Sequence, residues 1–196
     1  VRLPIFEKII YYMAKLKILA ISGSLKSTSS NTYILKTISG FEPENVEFVL
    51  YAGLDKLPHF NPEKEEGTAE VTDFKTHLKQ ADGVIISTPE YAFGVPGTLK
   101  NALDWTVSSG ELNEKPVIAI SASPMYKGGS KAMASLLLTL GALGTRMQEN
   151  SHLSIANISK KINANGEIID GQTNQDLKFL FNNFIHSIKS EKPISS

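Results

Sequence analysis

The feature that most restricts this chain is an alternation of two patterns: short, continuously apolar runs are separated by longer stretches whose apolar residues recur every three or four positions. An unbroken apolar run suits a strand covered on both faces, whereas the three-four period marks a helix with one buried stripe. Strand then helix, repeated, predicts a parallel sheet with helices on both sides, since parallel neighbours need a crossover. Continuous runs cover Leu16 to Ser22, Gly83 to Thr88 and Pro116 to Ser121. Val46 to Tyr51 alternates instead, with Val46, Phe48 and Leu50 on one face, as a strand nearer an edge would. Thr145 to Gln148 is the expected fifth strand. Helical stripes run through Ile34 to Ile38, Val71 to Ala81, Leu99 to Thr106, Ala132 to Leu143 and Leu177 to Ile188.

No linker or repeat divides the 196 residues, so one domain over 13–190 is expected. Residues 1–12 read as an upstream or non-native extension, because Met13 offers a working start. A signal peptide is not expected, since Glu7 and Lys8 interrupt the apolar cluster and no small-residue cleavage site follows. No apolar stretch approaches the roughly 20 residues of a membrane span. Twenty basic residues balance twenty acidic ones, leaving no net field for nucleic acid or an anionic membrane. The absence of cysteine excludes disulfides, thiolate nucleophiles and cysteine metal sites, and is compatible with a cytoplasmic protein. Pro58, Pro62 and Glu63 to Glu66 read as an exposed loop, Asn163 to Gly171 as a turn, and 191–196 as a flexible tail.

In an open α/β sheet, ligands bind beyond the carboxyl ends of the strands. After the first strand comes Ser22-Gly23-Ser24-Leu25-Lys26-Ser27-Thr28-Ser29-Ser30-Asn31-Thr32, running into a helix. By composition this is a phosphate cradle: hydroxyls donate, Gly23 permits a tight turn, the helix start offers unpaired amides, and Lys26 supplies a full charge. No Asp or Glu lies between Glu7 and Glu42 to repel an anion. The bland alternative is a solvated serine-rich turn with an N-cap. The Walker A, Gly-x-Gly-x-x-Gly and Gly-x-Ser-x-Gly patterns are all absent.

After the third strand stands the string from Thr88 through Pro89, Glu90, Tyr91, Ala92, Phe93 and Gly94 to Trp105. Tyr91 and Phe93 bring planar apolar area, Pro89 and Pro96 stiffen the connection, and Gly94 admits close backbone approach, so a flat heteroaromatic ligand would fit. These rings and Trp105 could equally be packing aromatics. Glu90 reads either as a general acid or base or as a hydrogen-bonding group. The four histidines, His59, His77, His152 and His186, show no metal-ligand spacing, and no metal is expected.

The strings GSLKSTSSN and TPEYAFGVPGTLKNALDW resemble the two signatures of the NADPH-dependent FMN reductase family of flavin, quinone, azo-dye and chromate reductases. The resemblance covers about Leu16 to Leu143. It implies a flavodoxin-like, doubly wound five-stranded sheet in the order 2-1-3-4-5, bound FMN, and a homodimer or homotetramer. By the same resemblance, Ser24, Lys26, Ser29, Ser30, Asn31 and Thr32 would surround the 5′-phosphate, with Gly23 and Leu25 also among the cofactor-binding residues. Pro89 to Gly94 would border the isoalloxazine ring, largely through backbone groups. Ser121 and Ser123, with Gly128 and Gly129, would form a small-residue turn beside it. The family more often has Arg where Lys26 stands, and often has Asn or another polar residue where Ala92 stands.

The activity so implied passes reducing equivalents from NADPH or NADH through FMN to a small acceptor, with no catalytic triad. The alternative is a flavodoxin-type carrier that binds FMN without nicotinamide turnover, although such carriers are usually acidic. Leu99 to Val107 is the expected apolar surface for a partner chain.

Overall fold

The computed structural model describes residues 15–41, 45–64 and 67–191. Five strands form one parallel sheet: β1 Leu16–Ser22, β2 Val46–Tyr51, β3 Gly83–Thr88, β4 Val117–Ala122 and β5 His152–Ile155. Their order is β2-β1-β3-β4-β5, the flavodoxin-like arrangement expected. The helices are α1 Ser30–Ser39, α2 Ala69–Gln80, α3 Gly97–Asp104, α4 Ser130–Ala142 and α5 Gly171–Glu191.

The continuous apolar runs serve two cores at once, because successive strand residues point to opposite faces. Leu19 and Ile21 of β1, Val84 and Ile86 of β3, and Val117 and Ala119 of β4 pack with α2, α3 and α4 on one face. Ile18 and Ala20, Ile85, and Ile118 and Ile120 pack with α1 and α5 on the other. Each fully buried Ile or Leu contributes about 1.5–3 kcal/mol relative to an exposed one, so both faces are strongly specified. β2 is an edge strand, as its alternation predicts.

Several boundaries differ from the sequence reading, and among them Gly171 opens α5 rather than ending the turn before it. The fifth strand is His152–Ile155, not Thr145 to Gln148. Arg146 makes only an isolated parallel bridge to Pro116, after which a turn closed by Ser151 N donating to Gln148 O intervenes before pairing resumes. With only Ile155 of its four residues buried, this edge strand has too short a pattern to be legible. β4 is shifted by one residue from Pro116–Ser121, since Pro116 has no N–H for the ladder. Glu191 closes α5 rather than opening a tail, while 192–196 and 1–14 lie outside the described residues.

The loop after β2 is tied down more firmly than its composition suggests. Pro58 O accepts from Trp105 Nε1 and Asn101 Nδ2, both at 2.9 Å, and the Phe60 and Trp105 rings meet edge to face at 5.1 Å. Trp105 is thereby a packing aromatic. Glu65 and Glu66 of the acidic run lie outside the described residues. The expected partner surface at Leu99 to Val107 is also corrected: Leu99, Ala102, Leu103, Trp105 and Thr106 are buried, and of its apolar residues only Val107 is exposed. The helical stripe of Leu99, Ala102, Leu103 and Thr106 belongs to the chain's own core.

Candidate functional site

Parallel register sets the site. Ser22 lies opposite Ser87 and Thr88 opposite Ser121, so the loops leaving β1, β3 and β4 emerge side by side at the carboxyl edge.

The first loop is built by its own hydroxyls. Ser29 is the N-cap of α1, its Oγ accepting from Asn31 N at 3.2 Å, and Ser29 N donates to Lys26 O at 3.1 Å to close a tight turn. Ser22 Oγ and Thr32 Oγ1 are 2.9 Å apart, and Ser24 Oγ accepts from Lys26 N at 3.3 Å. The first i to i−4 bond of the helix is Tyr33 N to Ser29 O, so the amides of Ser30 and Thr32 precede the intrahelical ladder. Lys26 is exposed and forms no ion pair among the described residues. A cleft of about 270 Å³ adjoins the loop, lined by Ser22, Ser24, Lys26 and Thr32 and by Ala52 and Asp55 across from them. Gly23 has no room for a side chain: a Cβ there would stand 2.9 Å from Thr88 Oγ1 and 3.0 Å from a Leu99 methyl.

Asn31 faces inward. Its side chain is buried, with Nδ2 donating to Ala122 O at 3.4 Å and Oδ1 accepting from Ser87 Oγ at 2.9 Å. It braces α1 against β3 and β4.

The second loop carries a two-residue hairpin turn. Tyr91 and Gly94 exchange N–H to O bonds at 3.0 Å in both directions, with Ala92 at φ +48 and Phe93 at φ +62. This is the geometry of a type I′ turn, which favours Asn-Gly, and holding two ordinary residues there costs about 1–2 kcal/mol each. The Tyr91 and Phe93 rings stand in solvent, 56% and 79% exposed. Glu90 does not point into this space: its Oε2 accepts from Lys131 N at 2.9 Å and Ala132 N at 3.0 Å, the first-turn amides of α4. It is a hydrogen-bonding group and is not placed as an acid or base.

In the third loop Ser121 Oγ donates to Gly128 O at 2.8 Å, and Ser123 Oγ accepts from Met125 N at 3.1 Å. Both serines are buried and hold the loop's shape. Exposed beside them are Met125 and Tyr126, which sequence reasoning passed over. The signal was available, because they form an apolar pair between Pro124 and Gly128, as Tyr91 and Phe93 stand between Pro89 and Pro96. Of the nine large apolar side chains exposed among the described residues, five (Leu25, Tyr91, Phe93, Met125 and Tyr126) sit on these three loops. The carboxyl edge is thus an apolar rim around a loop lined by hydroxyls and pre-helical amides.

A family profile, that of NADPH-dependent FMN reductase, matches residues 16–160. The chain belongs to that family. An NADH-dependent flavin reductase subunit of Lactobacillus johnsonii and a quinone reductase of Escherichia coli K12 are each 31% identical to it, covering 89% of this chain and 98% of their own. Among solved structures, the flavoenzyme FerB of Paracoccus denitrificans, an NAD(P)H:(acceptor) oxidoreductase, superposes with a TM-score of 0.80 at 27% identity. That match covers 89% of this chain and 98% of FerB. The flavin-reductase family expected from the two sequence strings is therefore the right one.

A larger cavity, about 560 Å³, flanks the outer edge of β2 and is lined by Tyr51, Asp73 and His77 among others. Tyr51 donates to Asp73 Oδ2 at 3.3 Å, and burial, reinforced by Asp73, pushes the phenol up to about 12. It stays a neutral donor throughout the physiological range. Among the described residues, no helix is long and apolar enough to cross a membrane and no group of three or more potential ligands is placed to hold a metal.

Proposed function

We propose that this reductase holds FMN across the three loops and moves reducing equivalents from a nicotinamide nucleotide to a small oxidised acceptor. The observation that carries the reading is the juxtaposition, on adjacent strands, of an ammonium with no ion pair among the described residues, a hydroxyl-rich helix start, and a turn presenting two exposed rings. The residues fit the cofactor. Ser24, Lys26, Ser29, Ser30 and Thr32 would meet the phosphate through hydroxyls, pre-helical amides and one charge. Residues Pro89 to Gly94 would border the ring, and Gly23 allows the two loops to approach. Bound there, FMN supplies hydride and electron transfer that no side chain of this set can perform. The protein's part is to grip the phosphate, cover one side of the ring with apolar groups and leave room for nucleotide and acceptor.

The acceptor would be a quinone, flavin or azo compound, in keeping with the names of the relatives. A homodimer through α4 is part of the proposal, supported by that helix's outer face: Ala134, Leu138 and Gly141 are exposed, with Leu138 at 78%. A cysteine-free chain is compatible with the cytoplasm, the compartment this reading assigns. The deciding experiment adds FMN to purified protein, records the flavin spectrum, and titrates with NADH and NADPH anaerobically. Bleaching that reverses on adding a quinone is expected; a protein that neither binds FMN nor is reduced refutes the proposal.

A further inference from the structure

We infer that Glu90 is a positioning residue, whose carboxylate fastens the ring-bordering turn to the start of α4 and so fixes the spacing between the second and third loops. The inference rests on the flavin reading for its ligand arm, and on geometry alone for the brace.

The N-cap of α4 is Gly129, at φ +76, and it offers no side chain to the helix. A capping side chain there would be strained, because φ +76 is a backbone conformation that L side chains rarely adopt, and its Cβ would press on Ser121 Cβ at 3.3 Å. The amides an N-cap ordinarily serves are those of the second and third helical residues. Here they are Lys131 and Ala132, and Glu90 serves both from a different loop, 41 and 42 positions away in sequence. A carboxylate at a helix start also meets the positive end of the helix dipole.

Glu90 directly precedes Tyr91, which opens the strained turn through Ala92 and Phe93. Among the described residues, Glu90's are the side-chain hydrogen bonds that tie residues 89–95 to a distant element; the turn's other bonds are its own, Tyr91 with Gly94 and Thr88 Oγ1 to Pro89 O. Releasing Glu90 frees the turn to relax from its left-handed geometry and uncaps α4 at the same moment. Tyr91 and Phe93 on one side, and Met125 and Tyr126 on the other, then lose their fixed separation.

The test compares the parent protein with Glu90→Ala, Glu90→Gln, Glu90→Asp and, as a matched capping control, Asp170→Ala. Asp170 Oδ2 caps α5 through Thr173 N at 2.9 Å, and α5 packs on the opposite face of the sheet from α4. FMN dissociation constants are read by fluorescence quenching on the apo protein, and hydrogen exchange is followed in peptides covering 89–96 and 129–133. Glu90→Ala weakens FMN about tenfold or more, while Glu90→Gln, which still accepts both amides, stays within about threefold. Glu90→Asp, on a stem one methylene shorter, moves in the alanine direction and serves if the alanine variant does not fold. Asp170→Ala lowers the thermal midpoint and leaves FMN affinity unchanged. The inference is overturned if Glu90→Ala, or Glu90→Asp in its place, loses stability but keeps the parent FMN constant, since Glu90 would then be only a cap. Should the parent itself not bind FMN, the flavin reading falls separately. Exchange then judges the brace: faster exchange at 89–96 in the Glu90 variant supports it, and unchanged exchange overturns it.

Discussion

The hydroxyl of Ser87 donates to the side-chain carbonyl of Asn31 at 2.9 Å in a fully buried setting, joining the middle strand of the sheet to the helix that follows the first loop. With Asn31 Nδ2 on Ala122 O, one amide spans three elements. Asn31→Ala leaves a buried hydroxyl and a buried carbonyl without their partner, and is expected to destabilise the fold by about 1–3 kcal/mol. Urea unfolding with an unchanged slope checks it, and an unaltered midpoint would remove the brace.

Lys26 acts on charge, not on the fold. Lys26→Ala should weaken FMN about tenfold and leave riboflavin, which lacks the phosphate, bound as before. Because the side chain is exposed and unpaired among the described residues, the thermal midpoint should not move. Equal losses for FMN and riboflavin would take the phosphate away from this loop.

The turn at Ala92 and Phe93 stores strain that a better residue would release. Ala92→Asn places a residue that tolerates φ +48 at the first central position and should stabilise the protein by about 0.5–1 kcal/mol. Differential scanning calorimetry reads the shift. A lower midpoint would mean that the asparagine side chain meets something the alanine avoids.

Tyr51 predicts an alkaline effect with a definite sign. Its folded-state value, about 12, lies above the usual 10.0, so the neutral phenol is favoured by folding. The stabilisation is complete below pH 10 and is lost as pH rises towards 12. Tyr51→Phe cannot ionise, so its stability should fall less steeply across pH 10 to 12 than the parent's. Parallel slopes would show that the phenol does not titrate in that window.

Leu138 tests the assembly. An aspartate on the exposed face of α4 buries poorly against a second copy but leaves the monomer core, built by Met133, Leu136 and Leu140, untouched. Leu138→Asp should shift a dimer towards monomer in sedimentation velocity at unchanged circular dichroism. An unaffected dimer would place the contact elsewhere.

Local pattern determined a good deal by itself. The strands at Leu16, Val46 and Gly83 were legible to the residue, because a period of two and a period of three to four are written into neighbouring positions. An N-cap in the serine-rich turn was likewise legible as the alternative to a phosphate cradle, since a cap depends only on residues within a turn of each other, and the structure gives it to Ser29. Tertiary structure alone decided what each side chain touches. Asn31 belongs with the phosphate loop in sequence and turns inward because Ser87 and Ala122 are 56 and 91 positions away. Glu90, which reads either as a proton carrier or as a hydrogen-bonding group, became a cap because the N-cap of α4 is a glycine with no side chain of its own to offer. His152–Ile155 became a strand through pairing with β4 and not through its own residues. A hydrogen bond between distant segments leaves no periodic trace in the chain, so only the folded arrangement could assign those roles.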